Sequence, residues 1–286
     1  MKKILIIGIK GMAGHIFFNY FNNKKEFDVY GVARNVESTD RIYDLDVSDV
    51  DALEKLIREN NFDIIINAIG ILNKDAEDNP AKAVWFNSYF PHFLENVTKQ
   101  SSSKVIHIST DCVFSGKDNG QYTEDSFKNG IGFYAQSKAL GEIVNDKDLT
   151  LRTSIIGPEL NKNGIGLLHW FLTQPNNSEL NGFSQVFWSG VTTLELAKVI
   201  EDVIKYNVVG LKQISREKIS KYDLLKLFNK VFKNNDLKIN KSSDYKSDKS
   251  LKSNRTDYQY DVPTYEQMLV EVKAWMELND FLYKYE

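Results

Sequence analysis

The chain has 286 residues, of which 42% are hydrophobic and 26% charged. This composition provides enough apolar side chains for a core and excludes a chain that is disordered throughout. The formal net charge of −3 gives no indication of a nucleic-acid-binding protein, and the single cysteine excludes an intrachain disulfide scaffold. The apolar runs are too short for a membrane-spanning helix, and the first residues do not match a signal peptide. We therefore expect a cytoplasmic protein that binds neither membrane nor nucleic acid.

Short apolar strands alternate with helix-length segments through the first part of the chain. We expect strands at 3–8, 27–33, 44–47, 63–70, 104–110 and 149–157, and helices at 12–23, 49–61, 80–100 and 133–145. Strands that are apolar throughout are typical of a parallel sheet covered by helices on both faces. The pattern therefore predicts an α/β fold with a Rossmann-type, doubly wound parallel sheet.

The pattern changes after residue 157. Glycines and prolines interrupt residues 158–187, and residues 233–255 are polar and rich in Ser, Lys and Asn. The later elements that we expect are an edge strand and helix at 188–204, capped by Thr192 or Thr193, a helix at 218–232 capped by Ser220, and a helix at 263–282. We predict a dinucleotide-binding domain of residues 1–157 and 188–208, and a smaller mixed α/β substrate-binding domain of residues 158–187 and 209–286.

Three glycines, Gly8, Gly11 and Gly14, directly follow the first strand and open the first helix. Such a turn lets the backbone approach a pyrophosphate, and the start of the helix supplies N–H donors. The alternative is a glycine-rich turn without a ligand. The position after a strand, at the beginning of an α/β chain, favours a dinucleotide site.

The ends of the second and third strands bear on the choice of cofactor. Arg34 follows the second strand, where NAD-binding proteins carry an acidic residue for the ribose hydroxyls. An arginine there fits the 2′-phosphate of NADPH, although an ordinary surface arginine is the alternative. Asp46 and Val47 come at the end of the third strand, where an adenine ring would be flanked, and an exposed turn residue is the alternative for Asp46. NADPH is therefore the expected cofactor, with NADH as a second possibility.

A tyrosine and a lysine, Tyr134 and Lys138, lie four residues apart and so share one face of a predicted helix. A nearby ammonium lowers the pKa of a phenol, which then serves as a proton donor to a carbonyl oxygen near neutral pH. A hydroxyl of Ser109 or Thr110, at the end of the fifth strand, is able to hydrogen-bond the same oxygen. Tyr134 alone would be a packing residue, so the prediction depends on the order of these features along the chain.

Five segments now carry a resemblance to a known family. They are GIKGMAG (8–14), NAIG (67–70), STDCVFSGKDNGQYTEDS (109–126), YAQSKALGE (134–142) and LRTSIIGP (151–158). With them the chain resembles the extended short-chain dehydrogenase/reductases, and among these the dTDP-4-dehydrorhamnose reductase family of nucleotide-sugar 4-ketoreductases. The resemblance implies an NADPH-dependent oxidoreductase that reduces the C4 ketone of a nucleotide-linked 4-keto-6-deoxyhexose. That reaction would serve deoxysugar biosynthesis for cell-surface polysaccharide.

The resemblance, together with the arguments above, assigns expected roles to individual residues. The expected catalytic residues are Tyr134, Lys138 and Thr110. The expected cofactor contacts are Gly8, Gly11, Met12, Ala13, Gly14, Arg34, Asp46, Val47, Ala68, Ile69, Gly70, Asn87, Ser109, Tyr134 and Lys138. The expected contacts to the nucleotide-diphosphate sugar are Thr110, Asp111, Cys112, Arg152, Ile155, Lys249 and Arg255. A helix-surface asparagine is the alternative for Asn87, and a solvated mobile loop is the alternative for residues 233–255.

The chain departs from the family pattern at two positions, with Cys112 where tyrosine is common and Ile155 where tryptophan is common. Both positions face the sugar pocket in the family, so the identity of the sugar stays open. Cys112 has no neighbouring histidine and is expected to be a small pocket or core residue. The four histidines show no metal-ligand spacing, so no metal is expected.

Two alternatives to the reductase remain. One is a nucleotide-sugar epimerase or dehydratase of the same superfamily, although a dehydratase would carry an acidic residue where Cys112 and Val113 follow the Thr-Asp pair. The other is a non-catalytic regulatory subunit on the same fold, against which the intact pair of Tyr134 and Lys138 argues. The resemblance also leaves a homodimer open.

Overall fold

A computed structural model describes residues 1–283 and 285, and the chain divides by packing into two units. Unit 1 comprises Met1–Ser109, Ile131–Arg152 and Glu201–Lys212, and unit 2 comprises Thr110–Gly130, Thr153–Ile200 and Gln213–Glu286. Residues 110–130 and 188–200 thus pack with the later part of the chain, whereas the sequence pattern assigned them to the dinucleotide-binding domain. The division into a cofactor domain and a substrate domain stays a prediction.

The strands and helices follow one another in a largely alternating order. The strands are β1 (Lys2–Ile7), β2 (Phe27–Ala33), β3 (Ile42–Asp44), β4 (Ile64–Asn67), β5 (Lys104–Thr110), β6 (Leu149–Thr153), β7 (Ile155–Ile156), β8 (Glu179–Trp188), β9 (Val191–Thr192), β10 (Gly210–Gln213), β11 (Ile219–Ser220) and β12 (Lys238–Asp248). The helices are α1 (Gly14–Asn22), α2 (Val50–Asn60), α3 (Asn73–Asp78), α4 (Pro80–Ala83), α5 (Phe90–Val97), α6 (Phe133–Leu140), α7 (Leu167–Leu172), α8 (Thr193–Lys205), α9 (Lys221–Phe232) and α10 (Tyr265–Leu278).

A seven-stranded sheet forms the centre of unit 1, in the order β10-β6-β5-β4-β1-β2-β3. The strand β1 pairs in parallel with β2 and β4, and the further pairs β2–β3 and β4–β5 are also parallel. The residues of β4 and the last four of β1 are buried, as an interior parallel strand requires. This arrangement confirms the predicted Rossmann-type sheet. Its order reverses between β1 and β4, and ligands bind beyond the carboxyl ends of the strands at such a point.

The structure corrects several predicted element boundaries. The third strand ends at Asp44 rather than Val47, because the carboxylate of Asp46 accepts a hydrogen bond from the Ser48 amide, 3.0 Å away, and begins a turn. The helix expected at 133–145 ends at Leu140, and the helix expected at 80–100 contains a π-helical turn over Val84–Tyr89.

This π turn allows α6 to pack very closely against the preceding helical segment. A Cβ atom on Gly141 would lie 1.8 Å from the backbone oxygen of Asn87, a distance that no side chain tolerates. The absence of a side chain at Gly141 therefore lets the end of α6 pack against the π turn. Single π-helical turns within α-helices occur frequently at functional sites. The close approach fixes the helix that carries Tyr134 and Lys138.

Unit 2 contains a three-stranded sheet in the order β11-β8-β12 and a two-stranded sheet of β7 and β9. The strand β12 lies within the polar segment 233–255, for which a mobile loop was the alternative. Its parallel pairing with β8 excludes that alternative for Lys238–Asp248. The predicted caps are confirmed for α8 and α9, because Thr192 accepts from the Glu195 amide and Ser220 from the Asp223 amide. Within the described residues, no helix has the length and apolar character needed to cross a membrane.

Candidate functional site

The glycine turn between β1 and α1 has a shape that only glycines allow. Gly8 has a φ of +97°, in the region that favours glycine, and the Gly11 amide donates to the Gly8 oxygen at 2.9 Å. A Cβ atom on Gly14 would lie 2.1 Å from the same oxygen. The first turn of α1 carries no acidic residue, and the start of a helix presents backbone N–H groups and the positive end of the helix dipole. The turn therefore fits a pyrophosphate at the start of α1.

Two cations lie at the loop that follows β2. Arg34 is exposed and its Nη1 is 3.2 Å from the Asp46 carboxylate. Hydrogen bonds from Ser48, with a smaller contribution from Arg34, lower the pKa of Asp46. The Nζ of Lys10 donates to the Asn35 oxygen at 3.1 Å. Lys10 was missed in the sequence analysis, although it lies inside the glycine motif. Together the two side chains provide the positive charge that a 2′-phosphate needs.

The segment that follows β4 is held by two asparagines. The Asn67 Oδ1 accepts from the Ile69 amide at 3.1 Å. Asn87 is fully buried; its Oδ1 accepts from the Ile71 amide at 2.8 Å, and its Nδ2 donates to the Ile71 oxygen at 2.9 Å and to Ser137 Oγ at 3.0 Å. The surface alternative for Asn87 is therefore wrong. Its amide joins the segment that follows β4 to Ser137 of α6.

A carboxylate that the sequence analysis missed begins the helix α6. The Glu77 carboxylate accepts hydrogen bonds from the amides of Phe133 and Tyr134, each at 3.1 Å. The two amides belong to the first turn of the helix and have no intrahelical acceptor. Glu77 therefore caps α6 from a distance of more than fifty residues in sequence, which no local pattern could show.

Lys138, the lysine of the predicted pair, belongs to α6 and is buried. Lys138 is 4% exposed, its Nζ donates to the Ile108 oxygen at 2.6 Å, and the Nε2 of His107 lies 3.3 Å away. Burial lowers the pKa of Lys138 to about 8, and the charge of Glu142 partly opposes that shift. A lysine with a pKa in this range exchanges protons near neutral pH, as a group that supports acid–base chemistry must.

The side chains of Ser109 and Arg152 both bind the buried carboxylate of Glu142 in unit 1. The Ser109 hydroxyl donates to Glu142 at 2.7 Å, and Arg152 forms a bidentate pair with the same carboxylate at 2.8 and 2.7 Å. The side chains of Arg152 and Glu142 are 1% and 0% exposed. A substrate contact through the Arg152 guanidinium does not fit this burial, so the pair supports the sheet end that carries Ser109.

A cationic cluster of unit 2 surrounds the residues after β5. The Thr110 Oγ1 accepts from the Cys112 amide at 3.1 Å and lies 3.2 Å from the buried Asp111 carboxylate. Burial raises the pKa of Asp111, and the charges of Lys249 and Lys221 oppose that shift. Burial also raises the pKa of Cys112 to about 11, which favours the protonated thiol over the nucleophilic thiolate.

Lys249 and Lys221 provide the positive charge of this cluster. The Lys249 Nζ is 3.5 Å from the Cys112 sulfur, and the Lys221 Nζ lies over the Trp188 ring, 5.4 Å from its centroid. Burial lowers the pKa of Lys221 to about 8. Lys221 was missed because nothing in its spacing separates it from the other lysines of the chain. Two lysines beside one carboxylate leave a net positive charge, which suits an anionic ligand.

Two predicted substrate contacts have other partners. Arg255 forms a bidentate pair with Asp125, at 2.7 and 3.1 Å. Ile155 lies in β7, opposite Val191 of β9, and is partly buried.

Val47, a predicted cofactor contact, belongs to the apolar core of unit 1. Ala68 continues from β4, its amide donating to the Ile7 oxygen at 3.0 Å.

The parallel sheet, the glycine turn and the Tyr134/Lys138 helix define a short-chain dehydrogenase/reductase fold of the extended type. Within that class the chain belongs to the family described as the RmlD substrate binding domain, whose model matches residues 1–223. The dTDP-4-dehydrorhamnose reductase of Aggregatibacter actinomycetemcomitans is 27% identical over 159 residues, which cover 54% of this chain and 51% of that protein. The chain spans about half the length or less of the first curated relatives that it matches.

Crystal structures give longer matches. A hypothetical dTDP-4-dehydrorhamnose reductase from Sulfolobus tokodaii is 26% identical, with a TM-score of 0.75 over 88% of this chain and 92% of that one. The dTDP-4-dehydrorhamnose reductase of Bacillus anthracis, solved in complex with NADP, has a TM-score of 0.81 over 96% and 99% of the two chains, at 20% identity. The second similarity shows the fold alone.

The capping of α6 by Glu77 gives a first prediction. Glu77→Ala leaves two amides of α6 without their acceptor and should lower the free energy of unfolding by about 1 kcal/mol. The amides of Phe133 and Tyr134 should also lose hydrogen-exchange protection. Urea unfolding and hydrogen exchange measure both effects.

The matched control is Asp78→Ala, which removes an exposed carboxylate of the same helix α3 that pairs with Lys74. It should change the free energy of unfolding by less than about 0.5 kcal/mol. Equal losses of stability in the two variants, with α6 protection unchanged, would show that Glu77 is not a cap.

Proposed function

We propose that the protein reduces the C4 ketone of a nucleotide-linked 4-keto-6-deoxyhexose with NADPH. One observation carries the proposal: a buried lysine, Lys138, lies one turn after Tyr134 on a helix that follows a glycine turn and a Ser-Thr strand end. Membership of the RmlD substrate binding domain family supports it, as do the dTDP-4-dehydrorhamnose reductases to which the chain is similar.

Unit 1 offers a fitting set of groups for the cofactor. The pyrophosphate would bind the amides of Met12 and Ala13 at the turn of Gly11. Because Gly14 approaches the Gly8 oxygen so closely, no side chain fits between them, and the backbone of the turn is left accessible to a ligand. Arg34 and Lys10 would bind the 2′-phosphate. Residues 68–70, fixed through Asn67 and Asn87, would line the nicotinamide ribose. The bound cofactor supplies the hydride.

The chain itself supplies the proton and orients the ketone. Tyr134 would donate its phenol proton to the oxygen at C4 as that oxygen gains charge. Lys138 in its ammonium form would stabilise the tyrosinate that remains and hydrogen-bond the ribose. The hydroxyl of Thr110, fixed by the Cys112 amide and beside Asp111, would hydrogen-bond the sugar.

The cationic cluster of unit 2 would bind the diphosphate of the sugar nucleotide. Lys221 and Lys249 both act on the buried carboxylate of Asp111, and neither is fully exposed. A diphosphate brings more negative charge than that one carboxylate, so it would draw both ammonium groups. Arg255 would bind the diphosphate beside these two lysines only if it gave up its ion pair with Asp125. Ile155 would contact the sugar through its partly buried side chain.

The wider setting is also proposed. The reaction would take place in the cytoplasm, within deoxysugar biosynthesis for polysaccharide, and the enzyme would form a homodimer. Large apolar side chains that are exposed on unit 1, namely Ile131, Leu140 and Val144, support an association of this kind.

The position of Arg34 predicts a preference for NADPH. Arg34→Ala should weaken NADPH binding by about tenfold or more and leave NADH binding nearly unchanged, because only NADPH carries the 2′-phosphate. Titration of each cofactor into the purified protein, followed by nicotinamide fluorescence, measures both constants. The control is Arg41→Ala, which removes another exposed arginine of unit 1 that pairs with Asp28. Equal losses for both cofactors in Arg34→Ala would reject the 2′-phosphate role.

The role of Tyr134 predicts the outcome of the main functional test. Wild-type protein should oxidise NADPH when given nucleotide-linked 4-keto-6-deoxyhexoses, tested as a panel of dTDP- and UDP-linked sugars. Tyr134→Phe should lower turnover by about a hundredfold or more and still bind NADPH, since only the proton donor is lost. Tyr89→Phe, an exposed tyrosine of the π turn, should retain activity. No oxidation with any sugar of the panel would reject the proposed function.

A further inference from the structure

A chain of buried polar groups leads from Lys138 to the segment after β4. The Lys138 Nζ lies 3.3 Å from the Nε2 of His107, and the other ring nitrogen, Nδ1, lies 3.2 Å from the Nδ2 of Asn67. His107 and Asn67 are both fully buried. Neither side chain was a predicted site residue, and the mechanism above assigns His107 no role.

The backbone fixes the orientation of Asn67. Its Oδ1 accepts from the Ile69 amide at 3.1 Å, and a backbone N–H is able only to donate. The Asn67 Nδ2 therefore faces His107, and because an amide nitrogen only donates, the Nδ1 of His107 must accept. In a neutral imidazole the proton then lies on Nε2.

This tautomer has a consequence at Lys138. The Nε2–H of His107 points to the lysine nitrogen, but an ammonium has no lone pair to accept it. A neutral amine accepts from Nε2–H and still donates to the Ile108 oxygen, 2.6 Å away. Burial lowers the pKa of Lys138 to about 8, and burial together with the charge of Lys138 holds the pKa of His107 well below its usual range.

Other titratable groups act on this pair from the elements around it. The charge of Glu142, beyond the end of α6, favours the ammonium form of Lys138. His92 of α5 acts on His107 by its charge and disfavours an imidazolium there. Tyr134 lies one turn before Lys138 on the same helix, and as a tyrosinate it would favour the ammonium.

We propose that His107 and Asn67 couple the protonation of Lys138 to the segment Ala68–Gly70. The coupling takes up one proton overall: in the protonated state Lys138 is an ammonium that donates to Nε2, and the neutral imidazole carries its single proton on Nδ1 instead of Nε2. Asn67 must then turn its amide so that Oδ1 accepts from Nδ1–H, which releases the Ile69 amide. His107 is thus a positioning residue for the proton transfer. The consequence of this coupling for catalysis rests on the proposed function, since Ala68–Gly70 would line the nicotinamide ribose.

Nitrogen NMR of the full chain, labelled with ¹⁵N-histidine, tests the coupling without substrate. His107→Gln identifies the signals of this residue among those of the four histidines. The expected result is an Nε2–H tautomer above the pKa of Lys138, at about 8, and an Nδ1–H tautomer below it. A tautomer that does not change as the pH falls through the pKa of Lys138, or an imidazolium that forms in that same pH range, would overturn the proposal.

Two variants distinguish an effect of the His107 tautomer on the pKa of Lys138 from an effect of the added negative charge. In Asn67→Asp a carboxylate accepts from Nδ1–H, which leaves Nε2 as an acceptor for the ammonium and should raise the pKa of Lys138 by about one unit. Lysine NMR, with the Lys138 signal identified by Lys138→Met, measures this shift. The same shift in Asn67→Asp combined with His107→Gln would attribute it to charge alone and contradict the coupling.

The two proposals fail separately. The NMR experiments need neither cofactor nor sugar, so the tautomer result stands whether or not a 4-keto sugar is reduced. Conversely, a protein that reduces such sugars but shows a fixed His107 tautomer retains the proposed function and loses only the coupling.

Discussion

The hydrogen bond from Lys138 to the Ile108 backbone oxygen is the interaction on which the rest of the site depends. It ties the helix α6 to the end of β5, and it holds an amine where water is excluded. A buried charge is costly, so the lysine loses part of its basicity. Glu77, Asn87 and Gly141 all act on the same helix: one caps its first turn, one binds it to residues 68–71, and one permits its close packing.

Much of unit 1 could be predicted from the sequence, because its signals are local. Runs such as residues 4–7 and 64–66 are apolar throughout, and burial on both faces of a parallel sheet requires this. The turn from Gly8 to Gly14 could be recognised from its place between a strand and a helix, and the structure shows the steric limits at Gly8 and Gly14. The spacing of Tyr134 and Lys138 is also local, since four residues make about one helical turn.

The remaining features depend on pairings that sequence spacing does not contain. Glu77 meets α6, and His107 meets Asn67, only after distant strands and helices have packed. The strand β12 has mostly exposed side chains, so no apolar periodicity marks it, and its pairing with β8 alone defines it. Lys221 differs from the other lysines of the chain only through its position beside Asp111 and the Trp188 ring. Such residues become visible through burial and contact.

The most direct test of the account is the destination of the hydride. NADPH that carries deuterium at the transferable C4 position would be incubated with the protein and a nucleotide-linked 4-keto-6-deoxyhexose, and the sugar product examined by NMR and mass spectrometry. The account predicts one deuterium per product, bound to C4 of the sugar, beside a new hydroxyl group. Deuterium at another carbon, or a rearranged sugar without deuterium and with NADPH unconsumed, would contradict the account and indicate epimerase or dehydratase chemistry on this fold.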